Sequence, residues 1–112
     1  MQVTTRQQSA AFIIELHGKL MGGPDAEPLQ DAVKRALEEN QKQVVMDLEG
    51  VEWVNSMGLG VLVAAHARLG RMDSQMVLAR PNSSVSNLLS MNKLNRVFDI
   101  FPSVEAAVGG FH

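Results

Sequence analysis

A serine in a glycine-rich turn, Ser56, is the side chain of this sequence best placed for chemistry. It stands in the run NSMGLG at residues 55–60, where an apolar strand ends and an apolar helix begins. Serine is a favoured helix N-cap, so we expect its hydroxyl to accept from the backbone N–H of Gly58 or Leu59, and capping is all that most such serines do. A phosphate on this hydroxyl would place about −1.5 to −2 charges at the positive end of a helix, where free amides bind anions. The geometry therefore also suits a phosphorylation switch.

Enzyme chemistry at Ser56 has weaker support in the sequence. The nucleophile elbow of hydrolases needs Gly-x-Ser-x-Gly, and Val54 occupies the first glycine position. His66 lies about ten residues further along the same helix, too far away to act as a base for Ser56. The glycines of the turn also fail the dinucleotide fingerprint, because position 63 is valine. We predict a non-enzymatic protein with no catalytic residue and no cofactor.

Composition limits the possible partners and compartments. The three histidines, His17, His66 and His112, have no carboxylate at ligand spacing, so we predict no metal site. The absence of cysteine excludes disulfides and thiolate catalysis and fits a reducing compartment. A formal net charge of −2 leaves no electrostatic footprint for nucleic acid or an anionic membrane.

Targeting and membrane signals are also missing from the sequence. The first residues have no apolar core of a signal peptide. The longest near-apolar run, residues 57–65, is far shorter than the roughly 20 residues that span a bilayer. We expect a cytoplasmic protein that does not bind nucleic acid and does not insert directly into a membrane.

The turn at Ser56 needs a buried strand before it and a helix after it. Residues 44–48 form a short apolar run, typical of a parallel strand buried on both faces, and we expect Gly50 to end it. The helix should run to about Gly70 or Met72. One apolar stripe recurs along it at helical spacing: Leu59, Leu62, Val63 and His66.

The helix after Ser56 has little polar surface. A helix that is apolar nearly all round is usually buried, and a protein-binding face is the alternative. Gly58 and Gly60 each cost roughly 1 kcal/mol of helix propensity relative to alanine. Close approach of other backbone, from this chain or from a partner, would compensate for that cost.

The rest of the chain alternates between strands and helices. A weak edge strand is predicted near residues 3–6, and a second strand over residues 12–16 should leave the sheet at Gly18. Two more strands are predicted at residues 75–79 and 97–100. Three further helices are predicted: one that opens at Pro24, one that is capped by Ser83 or Ser84, and one that starts at Pro102 or Ser103. This pattern predicts an α/β fold: a single domain over residues 1–112, with a mostly parallel β-sheet covered by helices.

The run DLEGVEWVNSMGLG, residues 47–60, resembles the signature of the STAS family, the anti-sigma factor antagonists. In that signature an Asp-Ser-Ser/Thr-Gly-Leu-Gly turn carries a phosphorylated serine, and Ser56 matches the acceptor position. The resemblance covers most of the chain and implies a STAS-like fold. Further positions resemble the family's C-terminal pattern of helix, short strand and last helix: Pro81, Val85, Leu88, Leu89, Leu94, Val97, Phe98, Ile100 and Ala106.

Three parts of the sequence differ from the family pattern. Asn55 stands where the family has aspartate, and it keeps the shape and hydrogen-bonding ability of aspartate without its charge. Met57 replaces the usual second hydroxyl residue and so removes an alternative acceptor. The loop over residues 18–25 departs from the usual Gly-x-Leu-Asp-like turn, which implies different partner contacts there.

The resemblance implies a switch whose chemistry belongs to its partners. An anti-sigma factor serine kinase would bind the protein when Ser56 is free and phosphorylate it with ATP, and a metal-dependent serine phosphatase would restore the binding form. Binding of the kinase would free a sigma factor. The alternative is a STAS adaptor or scaffold subunit of a transport or stress-signalling assembly, with Ser56 serving only as a cap. The implied docking surface comprises Gly22, Gly23, Asn55, Met57, Gly58 and Leu59.

Overall fold

A five-stranded sheet forms the centre of the computed structural model, which describes residues 1–111. The strands are β1 (Gln2–Gln8), β2 (Ala11–Leu20), β3 (Gln43–Val54), β4 (Gln75–Ala79) and β5 (Ile100–Phe101), and they lie side by side in chain order. The edge strand β1 pairs antiparallel with β2, and every other pair is parallel. The helices are α1 (Glu27–Glu38), α2 (Ser56–Gly70), α3 (Ser83–Met91) and α4 (Val104–Val108), with 3₁₀ turns at Gly23–Ala26 and Leu94–Arg96. The predicted α/β fold with a mostly parallel sheet is confirmed, and His112 lies outside the described residues.

Helices α1, α2 and α3 cover one face of the sheet, and α4 packs on the other. The three parallel connections advance across the sheet in one direction, and right-handed crossovers then place all three helices on the same side. Successive strand residues point to opposite faces, so alternate apolar residues enter two separate cores. The core under α1–α3 includes Ile14, Met46, Leu78, Leu29, Leu62 and Leu89. The core under α4 includes Ile13, Val45, Val77, Val104 and Ala107.

Two glycines that were expected to end strands do not end them. β2 continues past Gly18 to Leu20, and β3 continues past Gly50 to Val54. Position 50 needs glycine because β2 approaches it closely, and a Cβ there would lie 2.7 Å from the backbone carbonyl oxygen of Leu16 and would also meet the imidazole of His17. The longer strands matter for the site, because they bring the end of β3 beside the end of β2.

The cap of α3 and the bounds of the last strand differ from the predictions. Asn82, and not Ser83 or Ser84, caps α3. The predicted short last strand is present, but its bounds of 97–100 are wrong, because β5 spans Ile100–Phe101. Its pairing with β4 starts where the backbone N–H of Leu78 donates to Asp99 O at 2.9 Å. In contrast, the predicted bounds of β4 are confirmed, and Ser103 caps α4.

Helix α2 buries only one of its sides. Its buried apolar side chains are Leu59, Leu62, Ala65 and Leu69. Two members of the predicted stripe face outward at least in part: Val63 is 37% exposed, and half-buried His66 meets the ring of Phe98 edge-on at a centroid distance of 5.2 Å. The opposite side presents Met57, Gly60, Ala64 and Ala67 to solvent. Among residues 1–111, no helix combines the length and apolar character needed to cross a membrane.

Candidate functional site

Asn55, and not Ser56, caps the helix that begins at the glycine-rich turn. Its backbone is extended, with φ −98° and ψ 178°, and its side-chain Oδ1 accepts from the backbone N–H of Gly58 at 2.8 Å. The carbonyl of Asn55 accepts the first intrahelical hydrogen bond, from Leu59 N–H at 2.9 Å. Ser56 is therefore the first residue inside α2. Its side chain is exposed, and within residues 1–111 its hydroxyl has no hydrogen-bond partner.

The neighbouring strand decides which of the two residues is the cap. Asparagine and serine are about equally good N-caps, so local preference does not choose between them. The backbone N–H of Asn55 donates to Leu20 O at 3.3 Å, which extends the pairing of β3 with β2 by one residue. A residue held in this way keeps the extended backbone that an N-cap needs, and the helix begins after it.

Gly58 lets the first turn of α2 rest on the end of β2. A Cβ at this position would overlap the carbonyl oxygen of Leu20. The expected close approach of backbone is therefore confirmed for Gly58, and the approaching backbone belongs to this chain. Gly60 is different, because a Cβ there would meet nothing within 4 Å. The glycine at position 60 faces open space.

The loop between β2 and α1 packs against the turn through Met57. A Cβ at Gly22 would lie 2.8 Å from the Met57 Cβ, which is closer than real side chains approach. Gly23 has φ +68°, in the left-handed region that favours glycine. The two loops thus meet with little space between them, and they form one surface around Ser56.

The predicted docking residues differ in how far they reach solvent. Met57 is 64% exposed and is the largest apolar group at the turn. Gly58 and Leu59 are buried, so they position the turn and present little surface of their own. The others are at least partly accessible: Gly22, Gly23 and Asn55.

Lys19 and Trp53 border the same turn, although neither is among the predicted docking residues. The two residues pair across the β2–β3 ladder, and the Lys19 Nζ lies 5.9 Å from the centroid of the Trp53 ring. Trp53 is 38% exposed. Parallel strands bring their carboxyl ends to the same edge of a sheet. The parallel pairing of β2 with β3 could therefore have predicted that Lys19 lies near the turn.

The most buried ion pair among the described residues lies away from this turn. Asp47 is almost fully buried at 3% exposure, and both of its oxygens accept from Arg80, Oδ1 from Nε at 3.0 Å and Oδ2 from Nη2 at 2.6 Å. Hydrogen bonding to Asp47 raises the pKa of Arg80 above its ordinary value, and Arg80 also pairs with Glu49. Bidentate pairing satisfies a buried carboxylate, so this cluster ties β3 to the end of β4. The described residues contain no group of three or more histidine or acidic side chains able to hold a metal ion.

Comparison with known proteins places this geometry in a family. A sequence model described as the STAS domain matches residues 2–107. The chain belongs to the STAS domain family. The anti-sigma-F factor antagonist RsfB of Mycobacterium tuberculosis is 28% identical to it over 108 residues, which cover 96% of this chain and 87% of RsfB.

Solved structures of similar proteins share the STAS fold. An anti-sigma factor antagonist from Mycobacterium paratuberculosis superposes with a TM-score of 0.82 at 18% identity, covering 96% of this chain and 91% of the other. Unphosphorylated SpoIIAA, an anti-sigma factor antagonist, gives 0.78 at 16% identity, with coverages of 96% and 93%. SpoIIAA from Bacillus in its phosphorylated form gives 0.72 at 14% identity, with coverages of 96% and 97%. At these identities the likeness shows the fold.

Proposed function

We propose that this STAS protein is an anti-sigma factor antagonist that is switched by phosphorylation of Ser56. The unphosphorylated protein binds an anti-sigma factor serine kinase and thereby frees a sigma factor. The kinase phosphorylates Ser56 and is released, and a metal-dependent serine phosphatase restores the binding form. In this proposal the protein is regulatory, has no catalytic activity of its own and works in the cytoplasm.

The free hydroxyl of Ser56 is the observation that carries this proposal. Because Asn55 caps α2, Ser56 is not needed as a cap, and its exposed side chain is open to a kinase. Similarity to RsfB supports an antagonist role, and the solved phosphorylated form of SpoIIAA supports control by phosphate. A serine that was buried or bonded within the turn would have argued for a structural role alone.

The start of α2 can receive a phosphate without rearrangement. The first N–H groups of a helix have no intrahelical partner, and Asn55 occupies only that of Gly58. The N–H groups of Ser56 and Met57 remain for an anion, at the positive end of the helix dipole. Asn55 is neutral, so the cap adds no repulsion against a phosphate on the next residue.

Phosphorylation would then release a partner through local charge. A kinase packed on Met57 and Gly22 would have to bury or displace a nearly dianionic group, and burying an unpaired charge is costly. The unbound domain bears no such cost, because solvent and the helix amides surround the phosphate. We therefore expect release without refolding of the sheet.

In vitro phosphorylation tests the assignment directly. Each anti-sigma factor kinase of the source organism is incubated with the protein, ATP and magnesium, and the product is examined by intact mass and peptide mapping. We expect one phosphate, located on Ser56. Ser83 is a matched control, because it is also an exposed first residue of an asparagine-capped helix.

Two variants complete this experiment. Ser56→Ala should incorporate no phosphate, whereas Ser83→Ala should be modified like the wild type. Phosphate confined to Ser83, Ser84 or Ser86, with an active kinase and an unmodified Ser56, would contradict the switch. Such a result would leave the adaptor role as the better description.

A further inference from the structure

A groove between α1 and α2 runs along the exposed side of α2, beyond the Ser56 turn. Its volume is about 270 Å³, below the roughly 300–1,000 Å³ of typical small-molecule sites. A groove of this size can hold an apolar side chain from a protein. Its walls are mostly apolar, with polar groups towards the end of α2: Leu29, Gln30, Val33, Val61, Ala64, Ala65, Arg68 and Arg71.

Two arginines give one end of this groove a positive charge. Arg68 and Arg71 are exposed, and in the described part of the chain neither has an ion pair or a side-chain hydrogen bond. None of the described residues that line the groove is acidic. Their position also suits the negative end of the α2 dipole, yet each guanidinium keeps its donors available for an outside carboxylate. The charge of the groove therefore selects an acidic occupant.

The groove is continuous with the surface around Ser56. Met57, Val61, Ala64 and Arg68 follow one another at spacings of three or four residues, which places them in one strip along α2. Ala64 is small, so another backbone can come close to the middle of this strip. A partner that binds the turn and extends along α2 would therefore reach the groove.

We infer that the kinase of the proposed function makes a second contact in this groove, through an amphipathic segment with an apolar anchor flanked by acidic side chains. This inference rests on the proposed function. The groove contact supplies affinity whether or not Ser56 carries phosphate, while the turn supplies the switch. Loss of the groove contact should therefore raise the KM for phosphorylation of Ser56 and leave kcat nearly unchanged, as expected for uniform binding.

Charge reversal tests the groove separately from the turn. Two variants change the groove: Ala64→Glu, and the double variant Arg68→Glu with Arg71→Glu. Two controls introduce a glutamate on other exposed surfaces: Ser90→Glu and Arg96→Glu. Affinity for the purified kinase that phosphorylates Ser56 is measured by calorimetry without ATP, and thermal melting checks that each variant is folded.

Each groove variant should bind the kinase about tenfold or more weakly, because Ala64→Glu blocks the apolar anchor and the double arginine variant removes the ion pairs. The controls should stay within about threefold of the wild type. Added salt should weaken binding of the wild type more than that of the double arginine variant, since fewer charges remain to be screened. Both arginines are exposed, so the double variant keeps the test valid if Ala64→Glu does not fold.

Three outcomes would overturn the inference. Wild-type binding combined with unchanged affinity in both groove variants refutes the groove contact and leaves the proposed function standing. A wild-type protein that binds no kinase overturns the proposed function and the groove contact together. A dimer of the protein alone, seen by sedimentation and abolished by Ala64→Glu, would assign the groove to a second copy of this chain.

Discussion

The starts of α2 and α3 are built from the same two residue types in the same positions. Asn55 and Asn82 are both N-caps, and each accepts from the N–H three residues ahead at 2.8 Å. An exposed serine follows each of them, Ser56 in α2 and Ser83 in α3. If the capping motif alone made a regulatory site, both serines would qualify.

The two starts differ in what surrounds them. The side-chain amide of Asn82 also donates to Val51 O at 3.1 Å and Glu52 O at 3.2 Å, which ties α3 to the end of β3. The third helical residue is Gly58 in α2 and buried Val85 in α3. The start of α2 is thus held by close backbone packing, and it lies against a glycine loop.

This difference indicates that the surroundings of a capped serine, and not the cap itself, distinguish Ser56 from Ser83. Capping chemistry places a serine at a helix start, but it does not supply a surface for a partner. Exposed Met57, packed against Gly22, forms an apolar surface beside Ser56. The following predictions test whether this surrounding, and not the cap, separates the two serines.

The largest expected effect concerns affinity for the kinase. Phosphate on Ser56 should weaken binding about a hundredfold, which corresponds to about 2.7 kcal/mol, because a partner on Met57 must accommodate a buried dianion. Calorimetry with stoichiometrically phosphorylated protein measures the change. The Ser83→Asp variant is the control and should bind like the wild type. Equal affinity of the phosphorylated and unmodified proteins would remove the distinction between the two helix starts.

Amide chemical shifts of the phosphorylated protein then report how the switch acts. Changes limited to the turn and the first part of α2 support local exclusion of the partner. Changes spread through residues 44–48 and 75–79 of the sheet would show instead that phosphate refolds the domain.

The next effect concerns the glycines of α2. Gly58→Ala should destabilise the protein by about 1–3 kcal/mol, because the new methyl group collides with the carbonyl of Leu20. Gly60→Ala should stabilise it by up to about 1 kcal/mol, because alanine favours the helix and the position is open. Urea denaturation of both variants gives the free energies of unfolding. Similar changes in both variants would mean that the end of β2 does not hold the turn.

The smallest effect concerns the two caps. Asn55→Ala should cost about 1 kcal/mol, the usual value for loss of an N-cap. Asn82→Ala should cost about 1 kcal/mol more, because the carbonyls of Val51 and Glu52 lose their donor as well. Ser56→Ala is the control and should stay within about 0.5 kcal/mol of the wild type, since its hydroxyl bonds nothing in the described chain. A larger loss of stability for Ser56→Ala than for Asn55→Ala would mean that Ser56, and not Asn55, caps α2.

Much of the fold follows from local patterns in the sequence. Apolar runs bounded by turn residues predicted β4, and helical spacing after the turn predicted α2 through Gly70. These elements carry their own signals, because alternating strands and helices must bury their apolar faces against one another. The STAS signature also marks Ser56 from the sequence alone.

Glycine was the least reliable local signal. The sequence favours a break at Gly18 and at Gly50, but both strands continue, because pairing with a neighbour outweighs the weak strand preference of one residue. At Gly50 the nearby backbone carbonyl of Leu16, together with the imidazole of His17, explains why no side chain is present. Nothing within a few residues of position 50 reveals that contact.

The sequence by itself determined that a helix begins near residue 55, that a serine stands at its start and that the sheet is mostly parallel. Only the tertiary structure decided that Asn55 is the cap and that Ser56 is free. Both residues cap helices about equally well, and the hydrogen bond from Asn55 N–H to Leu20 O settles the choice. The tertiary structure likewise determined which side of α2 is exposed and where its groove lies. Periodicity shows that a helix is apolar, but only packing against the sheet and α1 shows which side remains uncovered.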